Sequence, residues 1–180
     1  MKNVEYNGII FQPFISGEAI QARVKQIASI LSEDYEGEVP LLVCVLNGAF
    51  VFASDLFMNM TIDAQITFIR LKSYEGMSST GNVNEILGLT ESVKNRHIII
   101  IEDIIDTGGT IKKLSDYLKL KQPASIKTVT LLYKPDVCTH EVTPDYIGFT
   151  IPPKFIIGYG LDIDGLGRNL NGIWMAKDEK

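Results

Sequence analysis

The chain has 180 residues, of which 46% are hydrophobic and 22% are charged, and its net charge at pH 7 is −5. This length favours one domain with a sizeable core, and the acidic balance argues against non-specific nucleic-acid binding. Charges and Gly8 interrupt the N-terminal sequence MKNVEYNGII, and no apolar stretch is long enough to span a bilayer, so the sequence predicts a soluble cytoplasmic protein.

The first half of the chain predicts helices that alternate with buried strands. Ser16 is a candidate N-cap for a helix whose apolar residues recur at helical spacing: Ile20, Val24, Ile27 and Leu31. The run LLVCVL (Leu41–Leu46) is typical of a strand buried on both faces, and we expect Cys44 within it to be a reduced core residue. The segment AFVFASDLFMNM predicts a second helix, and AQITFIRLK predicts a second strand.

The second half continues this alternation after a polar segment, SYEGMSSTGNVNE (Ser73–Glu85), which predicts a long mobile loop. HIIII predicts a buried strand, TIKKLSDYLKLKQ a helix that Pro123 ends, and SIKTVTLLYK another strand. DYIGFTIP and FIIGYG predict shorter strands. The pattern predicts an α/β fold with a mainly parallel sheet, in which ligands bind beyond the carboxyl ends of the strands.

Polar residues follow three of these predicted strands. Asn47 and Gly48 follow LLVCVL, the segment EDIIDTGGT follows HIIII, and Lys134 ends SIKTVTLLYK. Because carboxyl ends of parallel strands share one edge of a sheet, we expect a single crevice there. The ordinary alternative is that loops are simply polar.

The segment EDIIDTGGT combines a candidate phosphate-binding loop with three acids. Its two glycines let backbone amides approach a ligand, and the following helix directs free N–H groups at the same point, which favours a phosphate at Thr107–Thr110. Glu102, Asp103 and Asp106 suit ribose hydroxyls and Mg²⁺. Glu102 and Asp103 can share one ligand only if the strand has ended before them, and we expect that it has.

Two other interpretations of this segment are open. TGGT alone is also an ordinary helix start without a ligand. Asp106-Thr107-Gly108 spells the aspartic-protease triplet, but those enzymes need paired carboxylates in an all-β setting. Neither GxxxxGK[ST] nor GxGxxG occurs, so the sequence does not indicate a Walker loop or a dinucleotide site.

The segment IIIIEDIIDTGGTI resembles the motif with which type I phosphoribosyltransferases bind 5-phosphoribosyl-1-pyrophosphate (PRPP). LNGAF resembles their pyrophosphate loop, RLKSYEG with STGN their mobile catalytic loop, and LLYKPD their purine-contact strand. PPKFIIGYGLDIDGLGRNL resembles the tail of the 6-oxopurine branch. The chain is therefore similar, over nearly its whole length, to the hypoxanthine and hypoxanthine-guanine phosphoribosyltransferases.

The resemblance implies one domain spanning residues 1–180 with the type I phosphoribosyltransferase fold. A mobile catalytic loop would occupy about 73–87, and a small hood would form from the N-terminal segment and about 151–180. The implied reaction is Mg²⁺-dependent transfer of the 5-phosphoribosyl group from PRPP to hypoxanthine, or guanine, which gives IMP or GMP and pyrophosphate. The implied assembly is a homodimer or homotetramer, without nucleic-acid or membrane partners.

The resemblance also implies roles for the residues around EDIIDTGGT. The 5′-phosphate would be held by Thr107, Gly108, Gly109 and Thr110. Glu102 and Asp103 would contact the ribose hydroxyls and one Mg²⁺. Asp106 would accept a proton near purine N7, and burial beside Ile104 and Ile105 would make it a stronger base.

The remaining implied contacts come from other parts of the chain. Lys134 would donate to purine O6, Phe155 would stack on the ring, and Ile156 would offer backbone contacts. Asp162 would bind a second Mg²⁺, Arg168 would contact pyrophosphate, and Ser73 and Tyr74 would cover the transition state. Each has an ordinary alternative: Lys134 as a solvated strand end, Phe155 as core, Asp162 as a turn residue and Arg168 as the partner of a surface acid.

The chain departs from many relatives at Asn47, where they carry a basic residue. Backbone amides at Asn47 and Gly48, with Mg²⁺ and Arg168, would then have to neutralise pyrophosphate. The family pattern also implies a cis peptide at Leu46–Asn47. Two rival functions stay open: a phosphoribosyltransferase preferring xanthine or another base, and a non-catalytic PRPP sensor that regulates transcription or binds RNA.

Overall fold

The structure is a computed structural model and describes residues 1–71, 86–140 and 142–177. In chain order it contains β1 (Val4–Tyr6), β2 (Ile9–Ile15), α1 (Gly17–Asp34), β3 (Leu41–Leu46), α2 (Phe50–Asn59), β4 (Gln65–Leu71), β5 (Ile86–Leu87), β6 (His97–Ile105), α3 (Gly109–Lys119), β7 (Ser125–Tyr133), a 3-10 turn (Pro135–Val137), β8 (Tyr146–Thr150), β9 (Ile156–Ile157) and β10 (Ile173–Ala176).

A six-stranded sheet with the order β5-β4-β3-β6-β7-β8 forms the centre of the fold. Strands β3, β4, β6, β7 and β8 are parallel, and β5 pairs with β4 in the antiparallel direction. Leu41 lies opposite both Gln65 and Ile98, so β3 is buried between β4 and β6. The predicted mainly parallel sheet with flanking helices is confirmed.

The helices cover the two faces of this sheet. Helices α1 and α2 pack on one face in a core that includes Ile20, Leu42 and Ile99, whereas α3 packs on the other with Val43 and Ile98. Ser16 caps α1 as predicted, because its Oγ accepts from the Ala19 amide. None of the described helices is both long and apolar enough to cross a membrane.

Strand β6 continues through the two acids, so the expectation that it ends before Glu102 is wrong. Its pairing with β7 keeps the same register on both sides of Asp103 and extends to Ile105, which lies opposite Tyr133. The alternation of faces nevertheless changes within the strand. Ile101 and Ile104 pack in the core beneath α1 and α2, although residues three apart on a regular strand face opposite sides. Glu102 and Asp103 therefore need not point to opposite faces of the sheet, although they are neighbours in one strand.

The two ends of the chain form a second sheet with the order β1-β2-β10-β9, and all of its pairings are antiparallel. Phe11, Ile157 and Trp174 form its own small core. This sheet corresponds to the hood that the resemblance implied. The segment between β9 and β10 lies against the loop that follows β3.

Candidate active site

Helix α3 begins at the predicted phosphate loop. Gly108 is its N-cap residue with φ at 84°, a left-handed conformation that glycine adopts without strain. Gly108 has no side chain to cap the first turn, and Thr107 Oγ1 accepts only a long hydrogen bond, at 3.5 Å, from the Gly109 amide. A carbon added to Gly108 would lie 3.1 Å from Cys138 Sγ and 3.3 Å from Val142, so this position also lacks room for a side chain. The first amides of α3 are thus available to an anion.

The carbonyl of Thr107 anchors this loop to the segment that follows β7. It accepts hydrogen bonds from the amides of Thr139 and His140, at 3.2 and 3.3 Å, and lies 2.9 Å from His140 Nδ1. Since a carbonyl only accepts, Nδ1 carries the ring proton. No sequence pattern indicates this contact, because it joins two loops that only the β6–β7 pairing brings together.

A pocket of about 80 Å³ brings several predicted residues to one point. Its walls come from the end of β6, the loop and the first turn of α3: Glu102, Ile104, Ile105, Asp106, Thr107, Gly108, Gly109, Thr110 and Ile111. The phosphate loop and two of the three acids therefore face the same small space. Carboxylates repel a phosphate. The two can therefore share this space only if the ligand places other groups between them.

Glu102 is buried, at 8% exposure, and its Oε2 has no hydrogen-bond partner. Burial, and then the charge of Asp103, raise the pKa of Glu102 well above its usual range. A buried polar atom without a partner is costly and uncommon in proteins. Its unused lone pairs therefore point to a hydroxyl donor or a cation as the missing partner.

Asp103 lies beneath the loop that follows β3. Its Oδ1 accepts from the Ile104 amide at 2.8 Å, and a carbon added to Gly48 would stand only 1.6 Å from its Oδ2. Burial raises the pKa of Asp103 to about 6; backbone hydrogen bonds and Arg168 lower it, and Asp162 raises it further. Gly48 is thus needed for space, because any side chain there would displace this carboxylate.

Lys134 and Asp106 form an ion pair at the carboxyl ends of β6 and β7. Lys134 Nζ lies 3.1 Å from Asp106 Oδ2. Lys134 is buried at 7% exposure, so its interpretation as a solvated strand end is wrong. The Asp106 side chain is 51% exposed, so the expected burial beside Ile104 and Ile105 is wrong as well. Asp106 extends past the end of β6, beyond the packed isoleucines.

The loop after β3 has the geometry that the resemblance implied. The Leu46–Asn47 peptide is cis, as predicted. Asn47 is exposed, and the Phe50 amide donates to its carbonyl at 3.4 Å as α2 begins. On the other side, a carbon added to Gly160 would lie 2.1 Å from the Gly48 carbonyl oxygen, so the loop packs directly against the segment after β9.

Asp162 and Arg168 pair with each other in that segment. Arg168 Nη2 lies 2.6 Å from Asp162 Oδ1, and Arg168 Nη1 donates to the Gly160 carbonyl at 2.5 Å. The other carboxylate oxygen of Asp162 accepts from the Gly165 amide at 2.7 Å. Both side chains are only 27% exposed, so the pair is not an ordinary surface contact. Both carboxylate oxygens of Asp162 therefore have a donor partner.

Phe155 and Ile156 lie at the edge of the hood sheet. The Phe155 residue is 49% exposed, so its interpretation as plain core is wrong, and its ring centre lies 5.9 Å from that of Phe11. Ile156 is buried and pairs with Met175. About half of the Phe155 residue is thus exposed, which leaves it accessible to a flat ligand. Ser73 and Tyr74 lie outside the described residues.

The described part of the chain contains no group of three or more His, Cys, Asp or Glu side chains arranged to hold a metal by themselves. A larger cavity, about 820 Å³, lies between α1, α2 and the segment after β9, with Gln21, Asp55, Tyr159 and Arg168 among its walls. The sequence interpretation did not identify this cavity, because its walls come from three segments far apart in the chain.

Comparisons with known proteins agree with this geometry. A family model described as a phosphoribosyl transferase domain matches residues 16–164. A hypoxanthine-guanine phosphoribosyltransferase of Streptococcus pneumoniae is 39% identical over 166 residues, which cover 92% of each chain. A hypoxanthine-guanine-xanthine phosphoribosyltransferase of Tritrichomonas foetus is 38% identical over 161 residues, covering 88% of this chain and 87% of that protein.

Solved structures show the same similarity. The crystal structure of a hypoxanthine phosphoribosyltransferase from Staphylococcus aureus superposes with a TM-score of 0.86 at 36% identity, covering 92% of this chain and 91% of that one. A hypoxanthine phosphoribosyl transferase of Trypanosoma cruzi superposes with a TM-score of 0.86 at 32% identity, covering 97% and 94%.

Proposed function

This chain belongs to the phosphoribosyltransferase family, and we propose that it transfers the 5-phosphoribosyl group of PRPP to hypoxanthine, and to guanine, in purine salvage. The products are IMP or GMP and pyrophosphate. The relatives named above carry this activity in their names, and the chain matches them over nearly their whole length.

The observation that carries the proposal is the small pocket at the start of α3. The N-terminal residues of helix α3 and two acids line one space of about 80 Å³. Amides and the helix dipole favour the 5′-phosphate, with each such contact contributing about 0.3–1 kcal/mol. Carboxylates accept hydrogen bonds from the ribose hydroxyls. A sugar phosphate satisfies both sets of groups, whereas a bare anion would leave the carboxyl groups without hydroxyl partners.

Mg²⁺ fits the donor set around Glu102 and Asp103. These are oxygen ligands, Glu102 has a buried oxygen without a partner, and Mg²⁺ in nucleotide sites commonly uses one or two carboxylates with substrate oxygens. When bound, Mg²⁺ would stabilise the charge that develops on the departing pyrophosphate. Asp162 would bind a second Mg²⁺ only after leaving Arg168 and the Gly165 amide.

Recognition of the base is assigned to Lys134. Its buried ammonium group has only donors, so it stabilises an oxo group at purine position 6 and rejects an amino group there. Phe155 offers an exposed ring for stacking at the hood. Lys134 Nζ lies 3.1 Å from Asp106 Oδ2, so the proposed O6 donor and the proposed proton acceptor would lie side by side.

Proton transfer is assigned to Asp106. The purine nitrogen attacks ribose C1 as pyrophosphate leaves, and the proton that the base loses passes to the Asp106 carboxylate. Lys134 would donate one hydrogen bond to purine O6 while keeping its contact with Asp106, so that its positive charge stabilises both groups. Asn47–Gly48 and Arg168 lie on either side of Gly160, in position to hold the leaving pyrophosphate by backbone amides and a guanidinium.

One alternative substrate has a specific observation in its favour. The relative from Tritrichomonas foetus is named for xanthine as well as hypoxanthine and guanine. Lys134 cannot separate these bases, because all three carry a 6-oxo group. A non-catalytic PRPP sensor is less well supported, since such proteins need a basic surface for nucleic acid and the net charge here is −5.

The test is to mix the protein with Mg²⁺ and PRPP and to add hypoxanthine, guanine, xanthine or adenine separately, following nucleotide formation by chromatography. We expect IMP and GMP to form, no AMP to form, and activity to disappear without Mg²⁺. If PRPP binds but no base is converted, the sensor is the better account; if xanthine is converted fastest, the xanthine enzyme is.

Assembly and location are part of the same proposal. We expect a homodimer or homotetramer, which light scattering will identify at catalytic concentrations. A reducing cytoplasm suits Cys44 and Cys138, both of which are free; Cys44 is fully buried as predicted, and burial raises the pKa of its thiol to about 12.

A further inference from the structure

Tyr159 joins the segment after β9 to the main body of the protein through its side chain. Its residue is buried at 4% exposure, and its hydroxyl donates to the Asp55 carboxylate on α2. Gln21 on α1 donates to the same carboxylate oxygen and lies 3.4 Å from the Tyr159 hydroxyl. Three segments distant in sequence therefore meet at one buried phenol.

The backbone around Tyr159 also determines where Arg168 lies. The Tyr159 amide donates to the Leu170 carbonyl at 2.8 Å, and the Gly160 amide donates to the Arg168 carbonyl at 3.0 Å. The Arg168 guanidinium returns to the Gly160 carbonyl at 2.5 Å. Gly160 thus binds both the main chain and the side chain of Arg168, so these contacts connect the position of Tyr159 to that of the guanidinium.

Asp55, which accepts the Tyr159 hydrogen bond, belongs to the opposite wall of the proposed pyrophosphate site. Asp55 lies in α2, which begins at Phe50, two residues after Gly48. The Gly48 carbonyl is the atom that a carbon on Gly160 would strike, at 2.1 Å. The Tyr159–Asp55 bond therefore connects the helix that carries the Asn47–Gly48 loop to the segment that carries Arg168.

We propose that Tyr159 is a positioning residue whose hydroxyl bond to Asp55 sets the spacing between the Asn47–Gly48 loop and Arg168, and thereby the grip on the pyrophosphate group. This inference rests on the proposed function and adds a residue to it. Asn47 gives the loop no side-chain charge, so the alignment of its amides with one guanidinium matters more than it would beside a lysine.

The state of the phenol agrees with this role. Burial first, and then the hydrogen bond to Asp55, raise the pKa of Tyr159, so it stays a neutral donor throughout the working range of the enzyme. The groups facing it are the carboxylate of Asp55 and the amide of Gln21. Its contribution therefore comes from fixed geometry and not from titration.

Tyr159→Phe tests the inference, with Tyr146→Phe as the matched control. Tyr146 also donates from its hydroxyl to an aspartate, Asp34, at 2.6 Å, but it joins β8 to α1 away from the hood. We expect Tyr159→Phe to raise the KM for PRPP, and for pyrophosphate in the reverse reaction, about fivefold, with kcat changed less than about twofold and the KM for hypoxanthine unchanged. Tyr146→Phe should leave all four values at wild type.

Two further variants connect the effect to Arg168 and guard against misfolding. In an Arg168→Gln background, Tyr159→Phe should raise the KM for pyrophosphate no further, because both substitutions act on the same contact between the guanidinium and pyrophosphate. Asp55→Asn keeps an oxygen acceptor for the phenol while removing its charge, and should raise the same KM about twofold.

The inference is overturned if Tyr159→Phe and Tyr146→Phe lower the melting temperature alike and leave the KM for pyrophosphate unchanged. It is also overturned if the effects of Tyr159→Phe and Arg168→Gln add fully. Failure of the proposed function would look different: the wild-type protein would then form no IMP from PRPP and hypoxanthine, before any variant is compared.

Discussion

Replacing Asp103 with asparagine should stabilise the free protein at neutral pH while weakening its binding of PRPP with Mg²⁺. Burial raises the pKa of Asp103 in the folded protein to about 6, compared with 3.8 for an ordinary aspartate. The folded state therefore holds this proton more tightly than the unfolded state. Ionisation of Asp103 begins to destabilise the fold above pH 3.8, and the cost becomes constant above about pH 6.

The size of the effect follows from these two pKa values. Their difference corresponds to as much as about 3 kcal/mol of lost stability at pH 8, and to about half of that at pH 5. Asparagine keeps the Oδ1 that accepts from the Ile104 amide at 2.8 Å, so this contact should survive. For a chain of 180 residues, the melting temperature should rise by about 6–12 °C at pH 8 and by about half as much at pH 5.

Scanning calorimetry of the ligand-free variant and wild type at both pH values measures this, with Asp63→Asn as a control at an exposed aspartate. Titration calorimetry at pH 8 should show PRPP with Mg²⁺ binding at least about tenfold more weakly to Asp103→Asn, because a carboxylate ligand is lost. A melting temperature that falls in the variant, or rises equally at pH 5 and pH 8, would refute the reasoning.

Three further substitutions test the site. Asp106→Asn should lower kcat by about 100-fold while PRPP affinity in titration calorimetry stays within about threefold, because a positioned base acts only in the reaction; an equal loss of both would assign Asp106 to binding. Lys134→Ala should lower kcat/KM for hypoxanthine by about 100-fold with little change in the KM for PRPP, because a buried donor to O6 is lost; an increase of similar size in the KM for PRPP would contradict this. Gly48→Ala should weaken pyrophosphate binding about tenfold, since its added carbon would overlap Asp103 Oδ2 at 1.6 Å, and unchanged binding would show that the loop adapts freely.

The elements that the sequence predicted correctly are those that local patterns determine. Helix α1 follows from Ser16 and four apolar residues at helical spacing, and β3 follows from an unbroken apolar run. The end of β6 was placed too early, because it depends on pairing with β7, which the sequence of β6 does not encode. The sequence does not predict β1 and β2 as separate elements, since β1 has only three residues and much of the surface of both strands is exposed.

In the candidate site, too, the sequence predicts the features that one segment determines and not those that depend on contacts between distant segments. One segment predicts the phosphate loop and its three acids, and the fold brings the loop, Glu102 and Asp106 to one pocket. The exposure of Asp106 was misjudged, because it depends on where β6 ends. The roles of His140 beside Thr107 and of Tyr159 beside Asp55 had no sequence signal, since each contact joins segments separated by more than 30 residues.

The most direct test is a crystal structure of the protein with PRPP and Mg²⁺, or with IMP. The account predicts that the 5′-phosphate lies on the amides of residues 108–110 at the start of α3, with the ribose hydroxyls against Glu102 and Asp103. A sugar phosphate bound instead in the larger cavity between α1, α2 and the segment after β9, with the amides at Gly108 and Gly109 unoccupied, would contradict it.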